Sequence, residues 1–290
     1  MPSLATKSPA DLQISPRDRR LERDLVMKRW WLNADPVATA FYNALSVTFP
    51  RGEAFFIESV RAFKEGASTK LLEDINAFTR QEGAHSREHV AFNQHIVDGG
   101  YDLTRLEAQV IESLNLTKDR PQILNLAVTM GLEHYTAIMA QQMIEKDIHF
   151  AGAATEIRDL WRWHAMEEIE HKGVAYDTWL HATRDWTRWK RWRVKTIMML
   201  LVSKNFWTNR YIAMLDLLRQ DGIEGVKAHA RILWFALGKP GVVRRLIPAW
   251  LSFFLPGFHP WNHDDRYLVK RVENELAARQ IQAVNSRASV

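Results

Sequence analysis

Apolar residues return every three to four positions through most of this chain, the spacing that lines one face of a helix. The elements predicted are therefore helices, and the fold class is all-α. Residues 1–34 stand apart. They are polar and proline-containing up to Arg23, then basic and aromatic at Lys28, Arg29, Trp30 and Trp31, and read as a flexible tail. Asp35-Pro36 is a helix start, a capping oxygen followed by proline at the first helical position. A helix from Val37 to Ser46 should follow until Pro50 breaks or kinks it. Beyond Pro50, Glu53, Phe56, Ile57 and Val60 share one face, which turns Glu53 toward the core and Glu58 toward solvent. Gly66 ends that segment.

A second helix is expected over about 69–98, closed by Gly99-Gly100. Thr104 and Glu107 have the spacing of a capping box before a short helix. A third long helix runs from Pro121 to about Lys146, with Glu133 among Leu126, Met130, Ala137 and Ala140. The fourth covers about 154–183. After it the character changes. Seven of the twelve tryptophans lie at or beyond Trp186, interleaved with cations in Arg184 to Arg193. Asp264 to Ala283 reads as a terminal amphipathic helix, and the last residues as a loose tail. The organisation expected is a tail (1–34), a helix bundle (35–183) and a C-terminal, aromatic-rich helical extension or lid packed on the bundle (184–290).

Composition adds exclusions. There is no cysteine, which removes disulfides, thiolate metal sites and cysteine nucleophiles and fits a reducing, cytoplasmic setting. The N-terminus lacks the apolar stretch of a secretory signal. Ile197 to Val202 is far too short to span a bilayer. The net charge of +5 fits an affinity for an anionic surface without requiring one.

The chemistry begins with His164, Glu168 and His171, spaced i, i+4, i+7 on one helical stripe flanked by Trp161 and Trp163. Such residues are costly to bury without partners. A second stripe, Glu82, His85 and His89, lies upstream. With Glu53 and Glu133 the order becomes Glu, Glu-x-x-His, Glu, Glu-x-x-His. Bundle cores build carboxylate-bridged dimetal sites from this set, one Glu from each of two helices and Glu-x-x-His from each of the others. Imidazole suits iron, and carboxylate suits iron or manganese. His89 reads as an outer hydrogen-bond partner rather than a ligand. Glu167 and Glu170 fall on flanking faces, solvated or ion-paired, with Glu167 close enough to support a ligand. Arg87 and Arg158 are candidate partners for ligand carboxylates.

These motifs resemble the ferritin-like di-iron carboxylate proteins. More closely, "FPRGEAFF", "RQEGAHSREH", "GLEH", "HAMEEIEHKGVAYD" and "PGFHPW" resemble the bacterial family labelled predicted metal-dependent hydrolases, over most of residues 30–265. The resemblance implies a ferritin-like four-helix bundle with a dimetal core. His164-x-x-x-Glu168-x-x-His171 is similar to the pattern in arylamine N-oxygenases, which implies His164 as a seventh ligand; an outer-partner role is equally open. The expected ligands are then Glu53, Glu82, His85, Glu133, Glu168 and His171 with His164, holding two iron ions, or manganese or zinc. No catalytic group beyond them is identified.

The leading functional expectation is a di-iron oxygenase or oxidase. It would use dioxygen and an external electron donor to oxidise an apolar small-molecule or lipid-like substrate. The alternatives are a dimetal hydrolase with a metal-activated water, or a non-enzymatic iron-binding bundle. The tryptophan- and arginine-rich region 184–261 fits a packed lid or a peripheral contact with the inner face of the membrane. Nucleic acid is the weakest of its readings, because no recognised module is present. A homodimer is compatible with the chain.

Overall fold

The computed structural model describes residues 7–146, 149–150 and 152–288. Among them every regular element is helical: α1 (Pro36–Arg61), α2 (Thr69–Asp98), α3 (Thr104–Asn115), α4 (Gln122–Glu145), α5 (Thr155–His171), α6 (Val174–Ala182), α7 (Arg188–Gln220), α8 (Gly225–Leu237), α9 (Val242–Ser252) and α10 (Arg266–Ala288). This is the all-α bundle expected. The α1–α2 and α4–α5 pairs pack most extensively, and α1 against α4 closes them around a common interior. Helices α7 and α10 lie on the outside, α7 on α1 and α4, α10 on α5.

Asp35 caps α1 as expected, its carboxylate accepting from the amides of Val37 and Ala38. Pro50 does not break the helix, which runs unbroken to Arg61. A proline leaves the carbonyl four residues back without its amide donor, a cost of about 3 kcal/mol in a helix interior. Here that carbonyl, on Ser46, accepts from the Asn93 side-chain amide of α2 at 3.4 Å. Glu53 thus sits mid-helix with a continuous α1 behind it. The capping box also differs: Thr104 is the first helical residue and its amide donates to Asp102, at 2.9 Å.

The fourth helix is two. It stops at His171 and resumes at Val174. Lys172 is drawn to Asp265 at 2.5 Å, and a Cβ on Gly173 would meet Ser8 Oγ at 2.2 Å and Trp261 at 2.8 Å. Ser8, ahead of α1, and Trp261, ahead of α10, approach this break too closely for a side chain at position 173, a close approach that suits glycine.

The N-terminal segment departs from a flexible tail over its described part. Leu12, Leu21, Trp31 and Leu32 are buried, and the Trp31 indole donates to Asn43 at 2.8 Å. Only residues 1–6 of the expected tail fall outside the described residues. At the other end α10 extends to Ala288, beyond the predicted stop at Ala283; the final two residues lie outside the described residues. No described helix is long and apolar enough to cross a membrane.

Candidate metal centre

The inward stripes of α1, α2, α4 and α5 meet in the bundle interior. Glu53, Glu82, His85, Glu133, His164, Glu168 and His171 are all buried there. Their donor atoms form overlapping groups within 4.8 Å: Glu53, His85 and His164; Glu82, His85 and Glu168; Glu82, Glu133 and His171. Glu168 lies between the two ends. Its oxygens are 2.9 Å from His164 Nε2, 3.7 Å from His85 Nδ1 and 3.5 Å from His171 Nε2. Glu82 reaches both Glu-x-x-His histidines, at 3.2 Å from His171 and 3.9 Å from His85.

Each imidazole uses its other nitrogen to bond outward. His85 Nε2 donates to Glu167 at 3.0 Å, and His171 Nδ1 donates to the Gln81 side-chain oxygen at 3.0 Å. His164 Nδ1 is 2.7 Å from His89 Nε2. His89 Nδ1 in turn meets Ser46 Oγ at 2.8 Å, and Ser46 donates to Asn93 at 2.6 Å. With His164 Nδ1–H donating to His89, every hydrogen in that chain finds an acceptor, and His164 Nε2 is left as a lone pair facing the acids. His89 stands one bond removed and belongs to none of the donor groups. An imidazole oriented from behind with a bare nitrogen forward is the usual preparation of a metal-binding histidine.

Apart from the 2.9 Å contact of His164 Nε2 with Glu168 Oε1, most of the forward atoms have no hydrogen-bond partner. Glu53 Oε1, both oxygens of Glu82 and of Glu133, Glu168 Oε2, His85 Nδ1 and His171 Nε2 are buried and unsatisfied. Eight such atoms in one place are far from the near-complete pairing of protein interiors. The cost decides what they are for. A buried charge without its partner costs about 3–5 kcal/mol, and four carboxylates at that rate rival the whole net stability of a domain, about 5–15 kcal/mol. Cations between them remove the penalty, so the donor set fits a metal site.

Without a cation, protons must serve. Burial, reinforced by neighbouring carboxylates, pushes Glu53, Glu82 and Glu133 well above the usual carboxylate range. Burial also acts on Glu168, but the His171 and His164 imidazoles outweigh it and hold that carboxyl well below the usual range. Burial, then the neighbouring His164, pushes His85 and His89 well down.

The chain belongs to the predicted metal-dependent hydrolase family. That family's model matches residues 15–264, a span that takes in every donor above and the N-terminal segment from Ser15 on. Neither the curated proteins nor the solved structures contain a significant match. In this chain the outer supports of the donor cluster include residues that helix patterns pass over. Arg17 donates to Glu170 at 2.8 Å, and to Glu167 through its backbone amide at 3.0 Å and its guanidinium at 3.3 Å. Gln81 Nε2 donates to Glu170 at 2.8 Å, and Ser86 Oγ to Glu53 at 2.8 Å. Gln81 and Ser86 lie inside "RQEGAHSREH", where their distance from the acids was the available signal; Arg17 had none. Burial raises Glu167 to about 7, with Arg17 opposing the rise. Arg87, a candidate partner for a ligand acid, pairs instead with Glu88 and Asp18, because it points outward from α2.

A cavity of about 190 Å³ opens between α1, α3, α4 and α7. Leu45, Phe56, Val128, Leu132 and Met198 are among its apolar walls, and Glu53 lies on its inner surface. Phe49, also in the wall, packs its ring 4.7 Å from His164 and 4.6 Å from His89.

Proposed function

We propose that this chain is a dimetal hydrolase that cleaves a bond carried by an apolar substrate. Glu53, Glu82, His85, Glu133, His164, Glu168 and His171 would hold two divalent cations. The observation that carries the reading is the set of buried, unsatisfied carboxylate and imidazole atoms, one of whose residues, Glu53, also lines an apolar cavity. Four carboxylates match the four positive charges of two such cations, and neutral imidazoles add none, so the buried assembly is balanced. Oxygen and nitrogen donors without thiolate suit zinc, manganese or iron. Bound cations supply a Lewis acid and lower the pKa of a water.

The protein's own part is placement. Phe49 and Leu45 keep bulk water from the acids. Glu167, Gln81 and His89 fix the three imidazoles. The apolar walls select a chain and bring it end-on to Glu53. The family's description agrees with hydrolysis.

A second reading, oxidation at two irons with dioxygen and an external reductant, draws on the same donors, since carboxylate and imidazole together also suit iron. One experiment separates them. Protein loaded with zinc, manganese or ferrous iron is assayed on chromogenic esters of increasing acyl length, with and without oxygen. Hydrolysis by the zinc or manganese form in the absence of oxygen, rising with chain length, is the expected result. Turnover confined to iron with dioxygen and reductant would establish the second reading instead. Leu132→Trp, which fills the cavity, should raise KM for the longest ester without loss of bound metal.

A further inference from the structure

Cations are segregated in this chain. Residues 184–261 hold fourteen Lys and Arg against four Asp and Glu, a net +10 where the whole chain carries +5. The remainder is therefore net acidic. The same segment exposes large apolar side chains. On α7, Trp189, Ile197, Leu200 and Leu201 follow one helical stripe and are 64%, 49%, 50% and 54% exposed. Arg193 and Lys204 lie in that stripe and are exposed as well.

Helix α9 extends the patch. The Trp250 indole donates to Ser203 of α7 at 2.9 Å, and the Trp192 indole donates to the Phe254 carbonyl at 2.8 Å. These bonds bring Leu251 and Leu255, 53% and 59% exposed, alongside the α7 stripe. One exposed leucine means little, but a row of six large apolar residues rimmed by cations marks a contact surface.

We propose that this α7–α9 face seats on an anionic lipid bilayer. Tryptophan and aliphatic side chains would enter the headgroup layer while Arg188, Lys190, Arg193 and Lys204 meet lipid phosphates, the arrangement of helices that lie on membranes. Charge selects this occupant. A second copy docked through the same face would bring its cations against these. With no described helix able to span the bilayer, the seating is peripheral. Leu201 belongs both to this face and to the cavity wall, so a bilayer seated here lies against the cavity mouth. The seating does not depend on the chemistry proposed for the metal centre.

The test is co-sedimentation of the full metal-loaded chain with vesicles of phosphatidylcholine alone or mixed with phosphatidylglycerol. Binding to the mixed vesicles, weakened by salt and nearly absent on phosphatidylcholine, is expected. The double variant Arg193→Glu, Lys204→Glu should lower the partition coefficient by roughly tenfold or more. Ile197→Glu with Leu251→Glu should do the same, while Arg80→Glu, an exposed reversal on α2, should leave it unchanged. All these positions are exposed, and circular dichroism with metal content confirms folding. Three results would overturn the proposal: no binding to the mixed vesicles, an equal loss with Arg80→Glu, or a dimer that Ile197→Glu converts to a monomer. None of them bears on metal binding, so this idea and the hydrolase reading can fail separately.

Discussion

Glu167 does not face the acid cluster, yet its carboxylate fixes how His85 does. Loss of an outer partner of this kind typically lowers metal affinity about 10–100-fold. Glu167→Gln should therefore weaken metal binding by that order, read by competition with a chromogenic chelator, with the helical signal unchanged. Glu168→Gln, which removes the central acid, should bring bound metal to background. Equal affinities in wild type and Glu167→Gln would mean that His85 needs no support. Lys195 presents a separate titration, remote from the acids. It is buried against Tyr176, Phe253 and Phe258, with its ammonium donating to the Phe253 carbonyl at 2.5 Å. Burial lowers it from 10.5 to about 8. Between those values the unfolded chain binds the proton and the folded one does not, so stability rises with pH by up to about 1.4 kcal/mol per unit. Below pH 8 both states are charged and the slope vanishes. Urea unfolding from pH 7 to 10.5 should show this rise in wild type relative to Lys195→Met, which lacks the group. Parallel curves would refute it.

At the scale of elements, the interruption between α5 and α6 is where distant segments meet. Gly173→Ala would drive its methyl into Ser8 and Trp261. Overpacking of this kind costs about 1–3 kcal/mol, and relief would come through the N-terminal segment lifting from the bundle. Faster proteolysis before α1, with the bundle intact, is the expected readout; an unchanged cleavage pattern would show that the contact adapts. This break also shows where sequence reasoning stops. The long helices and their inward faces were legible because 3.6-residue periodicity is local, and it set Glu53, Glu82, Glu133 and Glu168 on faces that do converge. What it could not register is compensation from afar. Pro50 is tolerated because Asn93 serves the Ser46 carbonyl. Gly173, at the break, is approached closely by Ser8 and Trp261, residues far from it in sequence. Arg17 supports the centre from a segment with no periodic pattern at all.

For the molecule as a whole, the buried acids tie folding to metal. A ligand bound only by the folded state stabilises it by about 4 kcal/mol at a thousandfold excess over its Kd. For a chain of this size that corresponds to roughly 10 °C in Tm. Exhaustive chelation should lower Tm by that order, and zinc or manganese should restore it in scanning calorimetry. A chelated protein that melts where the loaded one does would mean that the acids need no cation.

The division of donors along the chain also governs assembly. Glu53, Glu82 and His85 are made first, on α1 and α2, and the acid they share with the second half, Glu168, follows only on α5. On the ribosome the first three emerge as half a cage, open to water and to any passing ion. Any metal that needs the complete donor set must therefore wait until α5 has been translated and folded back, which would make loading one of the later events in the birth of this protein.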